Sequence, residues 1–140
     1  EDEQKERVRY LREAALKAME VLADFRPHLR GPVLKGTAGR YGDIDLQLFT
    51  DDSKEVELFL LNRGLDYEVS ESRRPGGAQR GVPVFRLEIN DVPLKLAVHP
   101  LNDERIAPTA SGRAHERASI AALRLLLESE QEGSPSRASP

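Results

Sequence analysis

Asp43 and Asp45 stand at alternate positions of the segment Asp43-Ile44-Asp45-Leu46-Gln47-Leu48-Phe49. On an extended strand, alternate side chains share a face, so Ile44, Leu46 and Leu48 turn one way and Asp43, Asp45 and Gln47 the other. Two carboxylates held side by side repel each other unless a cation sits between them. Magnesium takes hard oxygen ligands and bridges carboxylates to nucleotide phosphates, which makes Asp43 and Asp45 the candidate metal ligands and catalytic residues. Just upstream, Gly36-Thr37 offers small residues in a turn, where backbone N–H groups and a hydroxyl can come close to a phosphate. Arg40 lies in the same loop and is a candidate phosphate contact; Tyr41 beside it could stack on a base or simply pack. The plainer alternative for the aspartates is an edge strand with a solvated acidic face.

The elements around this segment can be read from periodicity. Val8, Leu11, Ala15, Ala18, Leu22 and Phe25 recur at steps of three and four, which predicts a helix over about 2–25. Pro27, Gly31 and Pro32 break it, and Val33-Leu34 form a short apolar strand leading into the Gly36 turn. After the Asp43 strand, Asp52 and Ser53 can cap a helix containing Val56 and Leu58 to Leu61, with Gly64 as its stop. Tyr67 and Val69 suggest another strand. An arginine-rich loop with Arg73, Arg74 and Arg80 follows. Val84 to Ile89 and Val92 to Val98, joined at Asn90-Asp91, read as an antiparallel hairpin. A last helix is expected from about Ala114 to Glu128. The sum is an α+β domain: a mixed, largely antiparallel sheet with helices packed on one face.

Length and composition bound the rest. At 140 residues, the chain has room for one domain, placed here at 1–129, with a Gly/Ser/Pro-rich tail over 130–140 expected to be disordered. Hydrophobic content of 39% beside 32% charged residues reads as globular. No apolar run approaches the ~20 residues of a spanning helix, so no membrane is expected. With no cysteine, thiolate sites are excluded, and a cytoplasmic location is compatible. The formal charge of −3 gives no general attraction to nucleic acid.

Gly36-Thr37 followed by Asp43-Ile44-Asp45-Leu46 resembles the signature of the nucleotidyltransferase superfamily that includes polymerase beta and the minimal nucleotidyltransferases. That signature is a hydrophobic strand, Gly-Ser or a near variant, a short helix, then Asp-hydrophobic-Asp on the next strand. The resemblance covers about residues 10–100. It implies a nucleotidyltransferase-like fold with Gly36, Thr37 and Arg40 binding the phosphates of an NTP. Asp43 and Asp45 would hold magnesium, and a nucleoside monophosphate would pass to a hydroxyl on an unknown acceptor. It also allows a protein partner.

Two features depart from the pattern. The segment between Gly36-Thr37 and the aspartates is short for the family. Where the family places a third carboxylate, within hydrophobic-Asp-hydrophobic, this chain has Leu94-Lys95-Leu96. Alternation turns Lys95 toward the aspartates, where its ammonium could stand in for part of a metal's charge. A protonated lysine cannot accept the proton of an attacking hydroxyl, whereas Glu88 on the neighbouring strand is a substitute base. His99 follows on the same face, as a ligand contact or a strand-end cap. Lys95 therefore supports a rival reading: a catalytically inactive module of the same fold, used for nucleotide sensing or protein interaction.

Overall fold

The computed structural model describes residues 2–39, 42–72, 81–105, 109–110, 113–114 and 116–132. Its elements run α1 (Asp2–Val21), a 3-10 turn (Ala23–Phe25), β1 (His28–Arg30), α2 (Gly31–Lys35), β2 (Ile44–Phe49), α3 (Ser53–Asn62), β3 (Glu68–Glu71), β4 (Pro83–Ile89) and β5 (Val92–His99). A 3-10 segment (Leu101–Arg105), β6 (Thr109–Ala110), β7 (Arg113–Ala114), β8 (Arg117–Ala118) and α4 (Ile120–Glu132) complete the described elements. Six strands form one mixed sheet in the order β3-β4-β5-β2-β1-β8, in which only β2 and β5 pair in parallel. The α+β class and the mixed, largely antiparallel sheet expected from the sequence are both present.

The alternation of the strands carries across the whole sheet. Ala118, Leu29, Leu46, Leu96, Phe85 and Val69 are register partners in succession, and all but Val69 at the edge are buried. Against this apolar face pack Leu11, Ala15, Ala18 and Met19 of α1, Val33 of α2, Val56 and Leu60 of α3, and Leu123 of α4. The other face stays open over Arg30, Asp43 and Arg86, whose side chains are 43, 44 and 53% exposed.

Local chemistry sets the element ends. Asp52 accepts from the Lys54 N–H at 3.1 Å and starts α3. Asn90 and Asp91 both take positive φ, 53° and 67°, the conformation that lets a two-residue turn follow the twist of β4 and β5.

Three expectations need correction. Val33 and Leu34 belong to α2 and not to a strand. Pro32 begins that helix, Gly36 at φ 83° ends it, and the strand before it is His28–Arg30. The first helix stops at Val21 and tightens into the 3-10 turn. The last helix starts at Ile120, not Ala114, because Arg117–Ala118 pairs with β1 instead. The arginine loop with Arg73, Arg74 and Arg80 lies outside the described residues, as does the segment 133–140.

Arg12 joins these layers. It is the only charged residue buried among those described, at 7% exposure. Its Nε donates to the Val33 carbonyl at 3.0 Å, its Nη2 to the Leu34 carbonyl at 2.6 Å, and its Nη1 meets the Glu130 carboxylate. The free carbonyls at the end of a helix need such donors. One guanidinium thereby ties α1, the end of α2 and α4 together.

Candidate functional site

The polar face of the sheet carries a second register row, offset by one residue from the apolar one. Across six strands it reads Arg117, Arg30, Asp45, Lys95, Arg86 and Glu68. Lys95 is thus the direct cross-strand partner of Asp45, on the face the sequence assigned to it. Asp43 sits just ahead of β2, and its Oδ2 lies 3.8 Å from Arg86 Nη1. Asp45 Oδ2 lies 3.6 Å from Arg30 Nε, with the aspartate side chain 17% exposed. Both pairs are at the long end for an ion pair.

Gly31, which no motif in the sequence marks, lies directly against Asp45. Its φ is 78°, and a Cβ added there would stand 3.4 Å from both Cβ and Oδ2 of Asp45. The turn between β1 and α2 is therefore held against Asp45 by the lack of a side chain at a position that also favours glycine by its backbone angle. The order strand, small-residue turn, short helix, carboxylate strand is met at Gly31-Pro32. No pattern of side chains could mark Gly31 over Gly36, because the choice depends on where the preceding strand ends.

Gly36 and Thr37 fall elsewhere. Their N–H groups both donate to the Pro32 carbonyl, each at 2.9 Å, so these amides are already used in closing α2. Gly36 lines a depression of about 480 Å³ with Gln4, Arg9, Arg12 and Glu130. Asp43 lines a different one of about 870 Å³ with Asp66, Glu68, Arg86 and Glu88. Arg40 and Tyr41 lie outside the described residues.

At the far end of β2, the same face is closed by a small aromatic cluster. Phe49 meets His28 edge-on at 5.3 Å, stacks on its register partner His99 at 5.5 Å, and has the Arg117 guanidinium over its ring at 5.3 Å. The Nε2 of His99 lies 3.4 Å from Nε2 of Gln47. Glu104 fastens this end: its carboxylate accepts from Arg26 Nε at 2.6 Å and from His28 Nε2 at 2.9 Å, and its carbonyl accepts from Arg117.

Burial raises the Glu104 pKa, but the hydrogen bonds from His28 and Arg26 and their charges outweigh it, so the net shift is below the ordinary 4.5. A lowered folded-state pKa contributes stability above the unfolded value that is lost as the pH falls through the folded one. The melting temperature of the wild type should therefore drop more steeply below about pH 4.5 than that of Glu104→Gln. Parallel acid limbs in the two proteins would show that these bonds contribute nothing.

A magnesium ion held by one or two carboxylates completes its octahedron with phosphate oxygens and water. Asp43, just ahead of β2, and Asp45 within it, both reachable from solvent, suit that donor set. Among the described residues, no group of three or more His, Asp or Glu side chains is placed to hold a metal by itself.

The α+β sheet is the feature on which the chain can be compared with solved structures. Solved structures that it resembles include a cytoplasmic RNA terminal U-transferase, at 17% identity and a TM-score of 0.43 over 96% of this chain and 35% of that one. Another is Cid1, described with RNA terminal uridylyl transferase activity, at 14% identity and a TM-score of 0.40 over 96% of this chain and 36% of that one. The GLD-2/RNP-8 complex matches at 18% identity and a TM-score of 0.43 over 77% of this chain and 44% of that one. The chain thus spans less than half the length of each. No protein-family model and no curated protein sequence matches it. No helix among the described residues is long and apolar enough to cross a membrane.

Proposed function

We propose that this chain is a nucleotidyltransferase-type domain that binds a nucleoside triphosphate against Asp43 and Asp45 and passes its nucleoside monophosphate to an acceptor hydroxyl, with the α–β phosphoanhydride broken and pyrophosphate released. The observation that carries the reading is the contact of the Gly31 turn with Asp45, which puts a side-chain-free approach next to a carboxylate pair on an open sheet face. Magnesium on Asp43 and Asp45 would offset charge on the transferring phosphoryl group and orient the attacking oxygen. Glu88, on the Asp43 side of the face, would take the hydroxyl proton.

Calorimetric titration with ATP, GTP, CTP and UTP, with and without magnesium, tests this reading. Magnesium should tighten binding of at least one nucleotide about tenfold or more, and Asp43→Asn/Asp45→Asn should lose that increment. Equal affinity with and without magnesium, or an undiminished increment in the double variant, would sink it.

The register of Lys95 with Asp45 favours a second reading, in which the same face binds nucleotide without turnover. Under it, nucleotide binds but no acceptor is labelled. Lys95→Asp, which restores the carboxylate, would then gain magnesium-dependent transfer if the rest of the catalytic machinery is present.

A further inference from the structure

Charge is divided unevenly between the two carboxylates of the site. Around Asp45 it is positive. Its register partners in both directions across the sheet are cations, Arg30 on β1 and Lys95 on β5, and Arg117 follows Arg30 on the next strand. Around Asp43 it is negative. The depression that Asp43 lines is shared with Asp66, Glu68 and Glu88 against Arg86, which is itself directly opposite Glu68. Exposure follows the same division, with the Asp43 side chain open to 44% and that of Asp45 to 17%. The ion pair of Asp45 is with Arg30, so Lys95 acts on it as a neighbouring charge. Adjacent strands lie about 4.8 Å apart, and the lysine's four-carbon stem keeps its ammonium within reach of the Asp45 carboxylate.

From this division we infer that the site takes one divalent cation, seated chiefly on Asp43, and that Lys95 together with Arg30 keeps a second one away from Asp45. Paired metal ions in phosphoryl-transfer sites stand roughly 3.5–4 Å apart, so a second ion would have to lie directly beside the first. Their mutual repulsion is offset only where carboxylates surround both. Here the second place falls between Arg30 and Lys95, at a carboxylate that already faces a guanidinium. An ion on Asp43 meets the opposite surroundings: Glu88, Glu68 and Asp66 line the same depression, and the Arg86 pair it must loosen is long, at 3.8 Å, and exposed. Asp45 then contributes its charge to the single ion at longer range, which is consistent with the donor set of one or two carboxylates that magnesium accepts beside phosphate oxygens and water. The inference rests on the nucleotidyltransferase reading and deepens it, by assigning the number and the place of its ions and by giving Lys95 a positioning role.

The test counts manganese(II), a paramagnetic substitute for magnesium, by electron paramagnetic resonance. The protein is saturated with a nucleoside triphosphate whose α–β bridge is a methylene group, ATP first and the other three bases in turn. Wild type should hold one ion per chain with the spectrum of an isolated manganese. Lys95→Asp should hold two, close enough for their spins to couple, while Lys95→Arg, which keeps the charge, should stay at one. Lys95→Gln removes only the positive charge and covers the case in which Lys95→Asp does not fold; its second ion should enter at a concentration about tenfold lower than in wild type. Asp43→Asn should weaken the single ion about tenfold or more, and Asp45→Asn should weaken it severalfold less. A coupled pair in wild type overturns the inference and leaves the nucleotidyltransferase reading standing. The same follows from a single ion in Lys95→Asp that melts like the wild type, or from equal losses in the two aspartate variants. If wild type holds no more manganese than Asp43→Asn/Asp45→Asn, the inference and the reading beneath it fail together.

Discussion

Arg12→Met should lower the unfolding free energy by about 3–5 kcal/mol in urea denaturation, the cost of breaking a buried charged pair from one side. Three partners lose their donor at once. The carbonyls of Val33 and Leu34 are left without it at the end of a five-residue helix, and Glu130 keeps a carboxylate only partly open to water. Methionine fills much of the same volume, so the loss is polar and not a cavity. Glu130→Gln should cost much less, because both α2 carbonyls keep their donor. A loss below about 1 kcal/mol in Arg12→Met would place Arg12 with ordinary surface pairs and dissolve its role as the tie between α1, α2 and α4.

Phe49→Ala is expected to cost a similar amount, about 3–5 kcal/mol, by removing a large ring from a packed site. Phe49 is only 2% exposed although it points to the polar side of β2, because His28, His99 and Arg117 close around it. Its loss also deprives Arg117 of the ring beneath it, which loosens β8 from the edge of the sheet. Phe49→Leu keeps most of the buried area and should fall well short of the alanine cost. Equal urea midpoints for wild type and Phe49→Ala would show that the cluster is ornamental packing over an already stable sheet.

The parts of this fold legible in the sequence are those where side-chain period and backbone geometry agree. Ile44, Leu46 and Leu48 alternate with Asp43, Asp45 and Gln47, and β2 is built that way. The Asn90-Asp91 turn and the Asp52 cap are local chemistry, decided within a few residues. Val33-Leu34 went the other way. Two apolar residues fit a strand or one turn of helix equally well, and only the flanking Pro32 and Gly36 settle the choice. Arg117–Ala118 could not be separated from the last helix by period, since a two-residue strand has none; its pairing with β1 is a tertiary fact.

The candidate site divides along the same line. That Asp43, Asp45 and Lys95 share a face follows from alternation and was readable. That Asp45 is opposite Lys95, and Lys95 opposite Arg86, depends on strand order and register, which no single segment encodes. Arg30 and Arg86 carry no signal in the sequence for that reason: each is an unremarkable arginine in its own segment and becomes part of a row only when six strands are aligned. Gly31 gains its place beside Asp45 from β1 ending at Arg30, a boundary that Val33-Leu34 obscures in the sequence.

The single parallel pairing in the sheet has a consequence for how the protein forms. Hairpins such as β4–β5 can close as soon as their own residues are available, but β2 must wait for β5, with α3, β3 and β4 lying between them in the chain. Joining such distant partners carries a large loop-closure cost before any contact repays it, so the centre of the sheet is expected to be the slow step of folding. Asp45 and Lys95 meet only when that step is complete. A newly made chain therefore carries Arg30 with Asp45 on one pair of strands and Lys95 with Arg86 on another, and the two halves of the charged row join only when the sheet closes.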